Sequence, residues 1–181
     1  ACNFCSLAFH QGRFVTSRSK MSVLAEAEKL KQLPDFKGYI HDVGGPTANF
    51  RYPSCEKQLK NGLCKGKKCL APSACPALKA DETEYLDILR ELRRIPGIKK
   101  VFIRSGIRYD FMLKDKNNGF FKELVKYHIS GQLKVAPEHC SAAVLDKMGK
   151  PHIDAYIEFS KKYFDYTKRI GKEQYLVPYL M

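Results

Sequence analysis

Apolar and polar positions change period several times along the chain, and each change marks an element. Val23, Leu24, Ala27 and Leu30 recur at helical spacing until Pro34, which predicts a helix ending there. The run Gly38-Tyr39-Ile40-His41-Asp42-Val43 then predicts a short strand that turns at Gly44-Gly45-Pro46. Asp81 is placed to cap a helix, with Glu84 three residues on in a capping-box arrangement and Tyr85, Ile88, Leu89 and Leu92 as its apolar stripe. Pro96-Gly97 stops that helix, and Lys100 to Ser105 (KVFIRS) predicts a second strand. A helix from about Gly119 to Ile129, with Phe120, Leu124 and Tyr127 or His128 inward, leads to a third strand at Gln132 to Ala136.

The last third repeats this order. Ser141 to Met148 predicts a short helix, and Pro151 suits the first turn of a longer one. The longer helix carries Ile153, Tyr156, Ile157, Ser160, Tyr163, Phe164, Thr167 and Ile170 at a 3.6-residue period. Gly171 ends it, and Gln174 to Tyr179 predicts a fourth strand. Short apolar strands alternating with helices predict an α/β fold with a parallel sheet, its edges left incomplete at both ends of the chain.

Residues 51 to 79 break the pattern. They hold Cys55, Cys64, Cys69 and Cys75 among lysines and prolines, with almost no periodicity. An unstructured stretch of that length is uncommon in a compact domain unless something ties it down, and four thiols can be the tie. Their spacings of eight, four and five intervening residues match neither a zinc-finger signature nor the common ferredoxin runs. Structural zinc, an auxiliary iron-sulfur cluster and free thiols all remain open on these residues.

Composition narrows the class. A chain of 181 residues, 44% hydrophobic and 28% charged, is long enough for one domain burying roughly 70% of the surface its unfolded form exposes, so disorder is not expected. No apolar run approaches the roughly 20 residues of a spanning helix, so no membrane role is expected. Seven cysteines, an odd number, fit metal or cluster ligation in a reducing cytosol better than a disulfide framework, which predicts a soluble, cytoplasmic protein. The net charge of +13 favours anionic partners such as nucleic acid, phosphorylated metabolites or an acidic protein. Its bearers are scattered (Lys65, Lys67 and Lys68; Arg93, Arg94, Lys99 and Lys100; Lys161, Lys162, Lys168, Arg169 and Lys172), which fits a solvated surface better than a dedicated binding face.

The candidate chemistry starts at Cys2-Asn3-Phe4-Cys5, a Cys-x-x-Cys with an aromatic residue before the second thiol. Such a pair alone is shared by thioredoxin-like sites, zinc knuckles and iron-sulfur loops. A redox dithiol normally follows a strand and opens a helix, whereas here the polar stretches Gln11 to Arg13 and Thr16 to Ser19 separate the pair from the first helical pattern. A further cysteine four residues before Cys2 would complete a three-thiolate loop, and three thiolates on a four-iron cubane leave one iron open for a cofactor. Cys140, beside small Ser141, Ala142 and Ala143, is expected to be packed rather than reactive. His10 is either a residue beside the cysteine loop or a surface side chain. His41 and Asp42 should point to opposite faces of their strand, and neither is assigned a catalytic role.

Taken in order, Ala1 to Arg18, His41 to Arg51, the segment from Cys55 to Pro76, Ser105 to Asp110 (SGIRYD), Lys134 to His139 (KVAPEH) and Gln174 to Tyr179 resemble the radical S-adenosylmethionine (SAM) superfamily, specifically its YgiQ-type members. The resemblance covers essentially the whole chain. It implies a partial (βα) barrel with a parallel sheet, its first strand missing, residues 51–79 inserted as a Cys-rich loop, and 1–181 as a core fragment of a longer chain. It implies that Cys2 and Cys5 ligate a [4Fe-4S] cluster with Phe4 packed nearby. The third ligand would lie outside the chain, which alone is expected to hold the cluster poorly or not at all. Gly44 and Gly45 resemble the double-glycine turn that meets the SAM amino group, where glycine would allow close approach and positive φ; Pro46 stands where the family often has an acid. By the same resemblance Ser105 follows another strand into the site, and Glu138 and His139 stand where polar contacts reach the SAM ribose. A helix-start carboxylate and a satisfied rim histidine are the plainer readings of these two.

The implied activity is reductive cleavage of SAM to a 5′-deoxyadenosyl radical, with ferredoxin or flavodoxin as the kind of electron donor, on a substrate the sequence does not name. A metal-stabilised basic nucleic-acid-binding module and a thiol-disulfide oxidoreductase are the competing readings.

Overall fold

The computed structural model describes residues 2–45, 47–66 and 69–181; Ala1, Pro46, Lys67 and Lys68, which entered the sequence reading, lie outside the described residues. The elements run α1 (Ser6–His10), α2 (Lys20–Lys31), β1 (Tyr39–Ile40), α3 (Glu56–Asn61), α4 (Thr83–Arg94), β2 (Lys100–Val101), α5 (Tyr109–Met112), α6 (Gly119–Glu123, continued by a π-helical turn over Leu124–His128), β3 (Gln132–Glu138), α7 (Ala142–Met148), α8 (Ile153–Arg169) and β4 (Tyr175–Leu180).

The strands pair in parallel, β1 with β2 and β3 with β4, so that Ile40 lies opposite Val101 and Leu133 opposite Leu176. Among the described residues these ladders form two two-stranded sheets. Backbone bonds extend the first pair on both sides, from Lys99 N to Gly38 O (2.7 Å), Phe102 N to Ile40 O (2.8 Å) and Val43 N to Phe102 O (3.1 Å). Gly38 has φ +88°, and a Cβ there would stand 2.8 Å from Gly97 O, so only glycine lets the two strands begin this close together. The end of the α6 helix joins β2 through Ile103 N to His128 O (2.9 Å) and the His128 ring at 2.8 Å from Val101 O.

The core lies between these strands and the helices beside them. Ile88, Leu89 and Leu92 of α4 are buried with Leu124, Val125, Val101, Ile103, Leu133 and Val135. On α8 the buried face is Phe159, Tyr163 and Thr167. Phe159 packs at ring distances of 5.6 Å to Tyr109 and 6.1 Å to Phe121. Ile157 and Phe164, placed on the apolar stripe by periodicity, are 43% and 45% exposed. Tyr163 and Thr167 of that stripe are buried and Tyr156 and Ile170 pack against the core, so the inward face is the expected one shifted at its edge to take in Phe159, which meets the aromatic layer from α5 and α6.

Local starts and stops differ in detail from the expectations. Asp81 accepts a bond from Thr83 N (2.9 Å), but Glu84 turns outward to Arg51 instead of closing a capping box. Pro151 precedes α8 rather than sitting in its first turn, with His152 at the N-cap. A five-residue helix, α1, follows Cys5 directly, and α3 interrupts the Cys-rich segment; neither was predicted. No helix among the described residues is long and apolar enough to cross a membrane.

Candidate functional site

The loops that leave β1 and β2 at their carboxyl ends are bonded to each other, and the cysteine loop links them to the turn after α7. After β1, the Asp42 carboxylate accepts from Arg104 N (2.9 Å), Ser105 N (3.1 Å) and the Ser105 hydroxyl. Asp42 thereby clamps the first loop to the second, and the Ser105 hydroxyl donates to protein. Asn49 repeats the clamp: its carbonyl accepts from Arg108 N (2.9 Å), and its amide donates to Arg108 O (3.1 Å) and to Glu82 (2.6 Å). Ala48 N to Gly106 O (2.9 Å) completes the pairing of the loops.

The two glycines of the first loop differ in cause. A Cβ on Gly44 would fall 2.7 Å from the Ala48 Cβ and 3.1 Å from the Ser105 Cβ, so packing between the loops requires glycine there. A Cβ on Gly45 would meet nothing within 4 Å. Neither adopts positive φ, so the conformational part of the expectation is corrected and the close-approach part remains. Both line a cavity of about 390 Å³ with Asp42, Thr47, Arg18 and Arg51. Cys2 and Cys5 are not on its wall.

Arg108, in the loop after β2, joins the glycine turn to the cysteine loop. Its guanidinium donates to both Asp110 oxygens, Nε to Oδ1 at 2.7 Å and Nη2 to Oδ2 at 2.5 Å, and Nη1 stands 3.6 Å from Cys2 Sγ. Burial opposes both charges, but each ion raises the other's persistence: the Arg108 pKa is pushed up by Asp110, and the Asp110 pKa is pulled down by Arg108. Phe50 lies 5.6 Å beneath the guanidinium and lines both the glycine cavity and a smaller one of about 60 Å³ containing Arg108, Cys64 and Cys69. The cysteine loop docks on the turn after α7 through Asn3 N to Met148 O (2.7 Å) and Asn3 Nδ2 to Lys147 O (2.8 Å). Phe4 is 44% exposed. His10 is exposed, its ring edge-on to Phe9.

At the end of β3, Glu138 is buried, has φ +72°, and pairs with buried Lys150 at 3.4 Å. Its Oε2 has no hydrogen-bond partner among the described residues. A non-glycine residue held in left-handed backbone and carrying an unsatisfied buried oxygen is the kind of local strain that functional sites retain. His139 accepts from Ser141 N (2.9 Å), in keeping with a satisfied rim histidine. Cys140, expected to be packed, is exposed: the chain turns outward before α7, and its small neighbours do not cover it.

In the Cys-rich segment all four thiols are half-buried and none is in a disulfide. Gln58, on α3 just after Cys55, donates to Cys69 Sγ at 3.3 Å. Burial pushes the Cys69 thiol pKa up, and Cys55, Cys75 and Cys64 each push it further. Among the described residues no three His, Cys, Asp or Glu side chains stand ready to hold a metal ion. The four thiols are neighbours rather than a formed ligand set.

Sequence reasoning passed over Arg108, Asp110, Asn49 and Lys150 as site residues. The signal lay in SGIRYD: an Arg and an Asp two residues apart in a loop leaving a strand is an arrangement in which one buried charge can satisfy the other.

No protein-family model matches the chain, and no solved structure matches it. Among curated proteins, it is 59% identical over 180 residues to a UPF0313 protein of Clostridium perfringens (strain SM101), which covers 99% of this chain and 27% of that protein. It is likewise 59% identical over 181 residues to a UPF0313 protein of Clostridium botulinum (strain Okra), covering 100% of this chain and 28% of that protein. The chain therefore spans little more than a quarter of these relatives, and over its full length it is a homologue of one segment of the UPF0313 proteins.

Proposed function

We propose that this chain is part of the SAM-binding core of a radical SAM enzyme of the YgiQ type, built on a partial (βα) barrel. The observation that carries the reading is the shared rim: Arg108 touches Cys2 and is bonded through Asn49 to the loop that bears Gly44 and Gly45. The glycine turn leaves the carboxyl end of β1, paired in parallel with β2, and Glu138 ends β3, paired in parallel with β4; carboxyl ends of parallel strands are where α/β folds gather their chemistry.

The residues suit the groups the reading calls for. Cys2 and Cys5 supply two soft thiolate ligands, and the third comes from outside the chain. When bound, a [4Fe-4S] cluster supplies the electron that cleaves SAM to a 5′-deoxyadenosyl radical and methionine. Arg108 sets a fixed positive charge and an N–H donor beside Cys2. Asp110 holds that guanidinium in place. Gly45 leaves open space beside the turn, and the unpartnered Glu138 Oε2 is an acceptor for a hydroxyl such as a ribose carries. Phe50 stands between the glycine cavity and the pocket beside Cys64 and Cys69.

The test is anaerobic reconstitution, with iron and sulfide, of the polypeptide extended upstream through a third cysteine. The expected results are bound iron lost on replacing Cys2 or Cys5, and 5′-deoxyadenosine formed from SAM after reduction. Absence of both from the extended protein would remove the assignment.

A further inference from the structure

The segment between Ser54 and Lys79 is closed at its base, and a small cavity of about 60 Å³ separates Cys64 and Cys69 from Phe50 and Phe111. Lys79 N donates to Ser54 O at 2.7 Å, and Lys79 Nζ pairs with Glu56 at 2.5 Å, so the ends are fastened together. Within it, Cys75 N donates to Cys69 O (2.9 Å), Leu78 N to Cys75 O (2.9 Å), and the Gln58 amide bridges from the Cys55 end to the Cys69 sulfur (3.3 Å). Between 51 and 79, only Gln58 and Ala71 among the described residues are buried. A loop of this length with one six-residue helix and no apolar core of its own does not repay the entropy of its ordering by burial.

We infer that Cys55, Cys64, Cys69 and Cys75 form a second metal centre, a closed four-thiolate site taken by one Zn²⁺ or one iron-sulfur cluster, which holds this segment folded against Phe50 and Phe111. Both occupants share the chemistry the residues offer, four soft sulfur donors that lose their protons to solvent as the metal enters. Four thiolates saturate tetrahedral zinc, or give each iron of a cubane a protein ligand, so the site has no open position and serves structure or electron transfer. The sulfurs must close up to reach bonding distance. The segment allows this because it is fastened at its base and loosely packed within. The Gln58 N–H at Cys69 is the type of outer contact that orients a sulfur ligand. The inference is independent of the radical reading, because none of these residues is used there.

The decisive measurement is metal and acid-labile sulfide content of the anaerobically purified protein carrying Cys2→Ser and Cys5→Ser, which removes the first site. One zinc per chain, or iron with matching sulfide, should remain, and should disappear when Cys55, Cys64, Cys69 and Cys75 are also replaced by serine. Zinc alone or iron with sulfide identifies the occupant. Should that variant fail to fold, alkylation of the Cys2→Ser/Cys5→Ser protein with iodoacetamide decides, with exposed Cys140 as internal reference. The four thiols should be at least tenfold slower than Cys140 until a chelator is added. No metal in either protein, metal unchanged by the four replacements, labelling at the Cys140 rate, or disulfides joining these cysteines would each overturn the inference.

Discussion

Arg108 Nη1 stands 3.6 Å from Cys2 Sγ while the same guanidinium is forked onto both carboxylate oxygens of Asp110. The position of the cysteine loop is therefore tied to a charge pair whose side chains are only 12% and 5% exposed. Arg108→Gln leaves Asp110 buried without its counter-ion and should lower stability by about 3–5 kcal/mol. Urea titration at neutral pH checks this, and Arg108→Leu with Asp110→Leu should recover most of the loss, since neither charge is then buried alone. Because Arg108 holds the Asp110 pKa below its ordinary value, the pair's contribution is full above the ordinary aspartate range and fades as pH falls through the depressed value. A single replacement no more harmful than a surface one would contradict the assignment.

Two buried groups should set opposed pH slopes on stability. Burial raises the Glu82 pKa to about 8, so between the ordinary carboxyl value and 8 the folded state binds the proton that the unfolded state has lost. Stability then falls as pH rises through that window, by a total on the order of a few kcal/mol. Glu82→Gln, which keeps an acceptor for Asn49, should flatten the alkaline side, read as denaturation midpoints from pH 5 to 9.

His128 acts in the other direction. Burial lowers its pKa to about 4, so the unfolded state takes up a proton first as pH falls from about 6.5. Stability is lost progressively from about 6.5 down to 4. Together the two slopes cancel between about 4.5 and 6.5 to give a plateau of stability, and His128→Gln should turn that plateau into a fall with rising pH. Unchanged slopes in both variants would show that neither group titrates as its surroundings dictate.

Glu138 offers a test of the ligand reading separate from turnover. Glu138→Gln removes the anionic acceptor and should weaken SAM binding to the reconstituted, extended protein about tenfold, or about 1.4 kcal/mol, by equilibrium dialysis. Affinity equal to the parent's would take Glu138 out of the site. Lys150→Met is expected to lower stability by about 3–5 kcal/mol, because it leaves Glu138 buried without its partner charge.

The turn of α8 can be checked by truncating aromatic residues five positions apart. Phe159 is fully buried, so Phe159→Ala should cost about 3–5 kcal/mol. Phe164 is 45% exposed, so Phe164→Ala should cost far less. Equal losses would restore the stripe that periodicity alone suggests.

Periodicity and punctuation were enough to place four short strands and the longer helices, though not α1, α3 or α5, because apolar spacing, glycine and proline act over a few residues. The inward residues of α4 were legible for the same reason: Ile88, Leu89 and Leu92 repeat on one face with nothing competing. On α8 Tyr163 and Thr167 were legible, but Phe159 was not, and Ile157 and Phe164 lie at the exposed edge of the stripe because the aromatic layer from α5 and α6 draws Phe159 inward. Cys140 was misjudged because small neighbours in sequence say nothing about whether the chain turns toward solvent.

What the amino-acid order determined alone was the alternation of elements, the thiol spacings and the residue types available for chemistry, all properties of near neighbours along the chain. Only the tertiary structure decided that Arg108 reaches Cys2, that Asn49 and Asp42 lock two loops into one rim, and that Glu138 is left with an unsatisfied oxygen. Those relationships join residues 59 to 106 positions apart or depend on burial. Their energies come from excluding water around charges, a condition that does not exist until the strands and loops have packed.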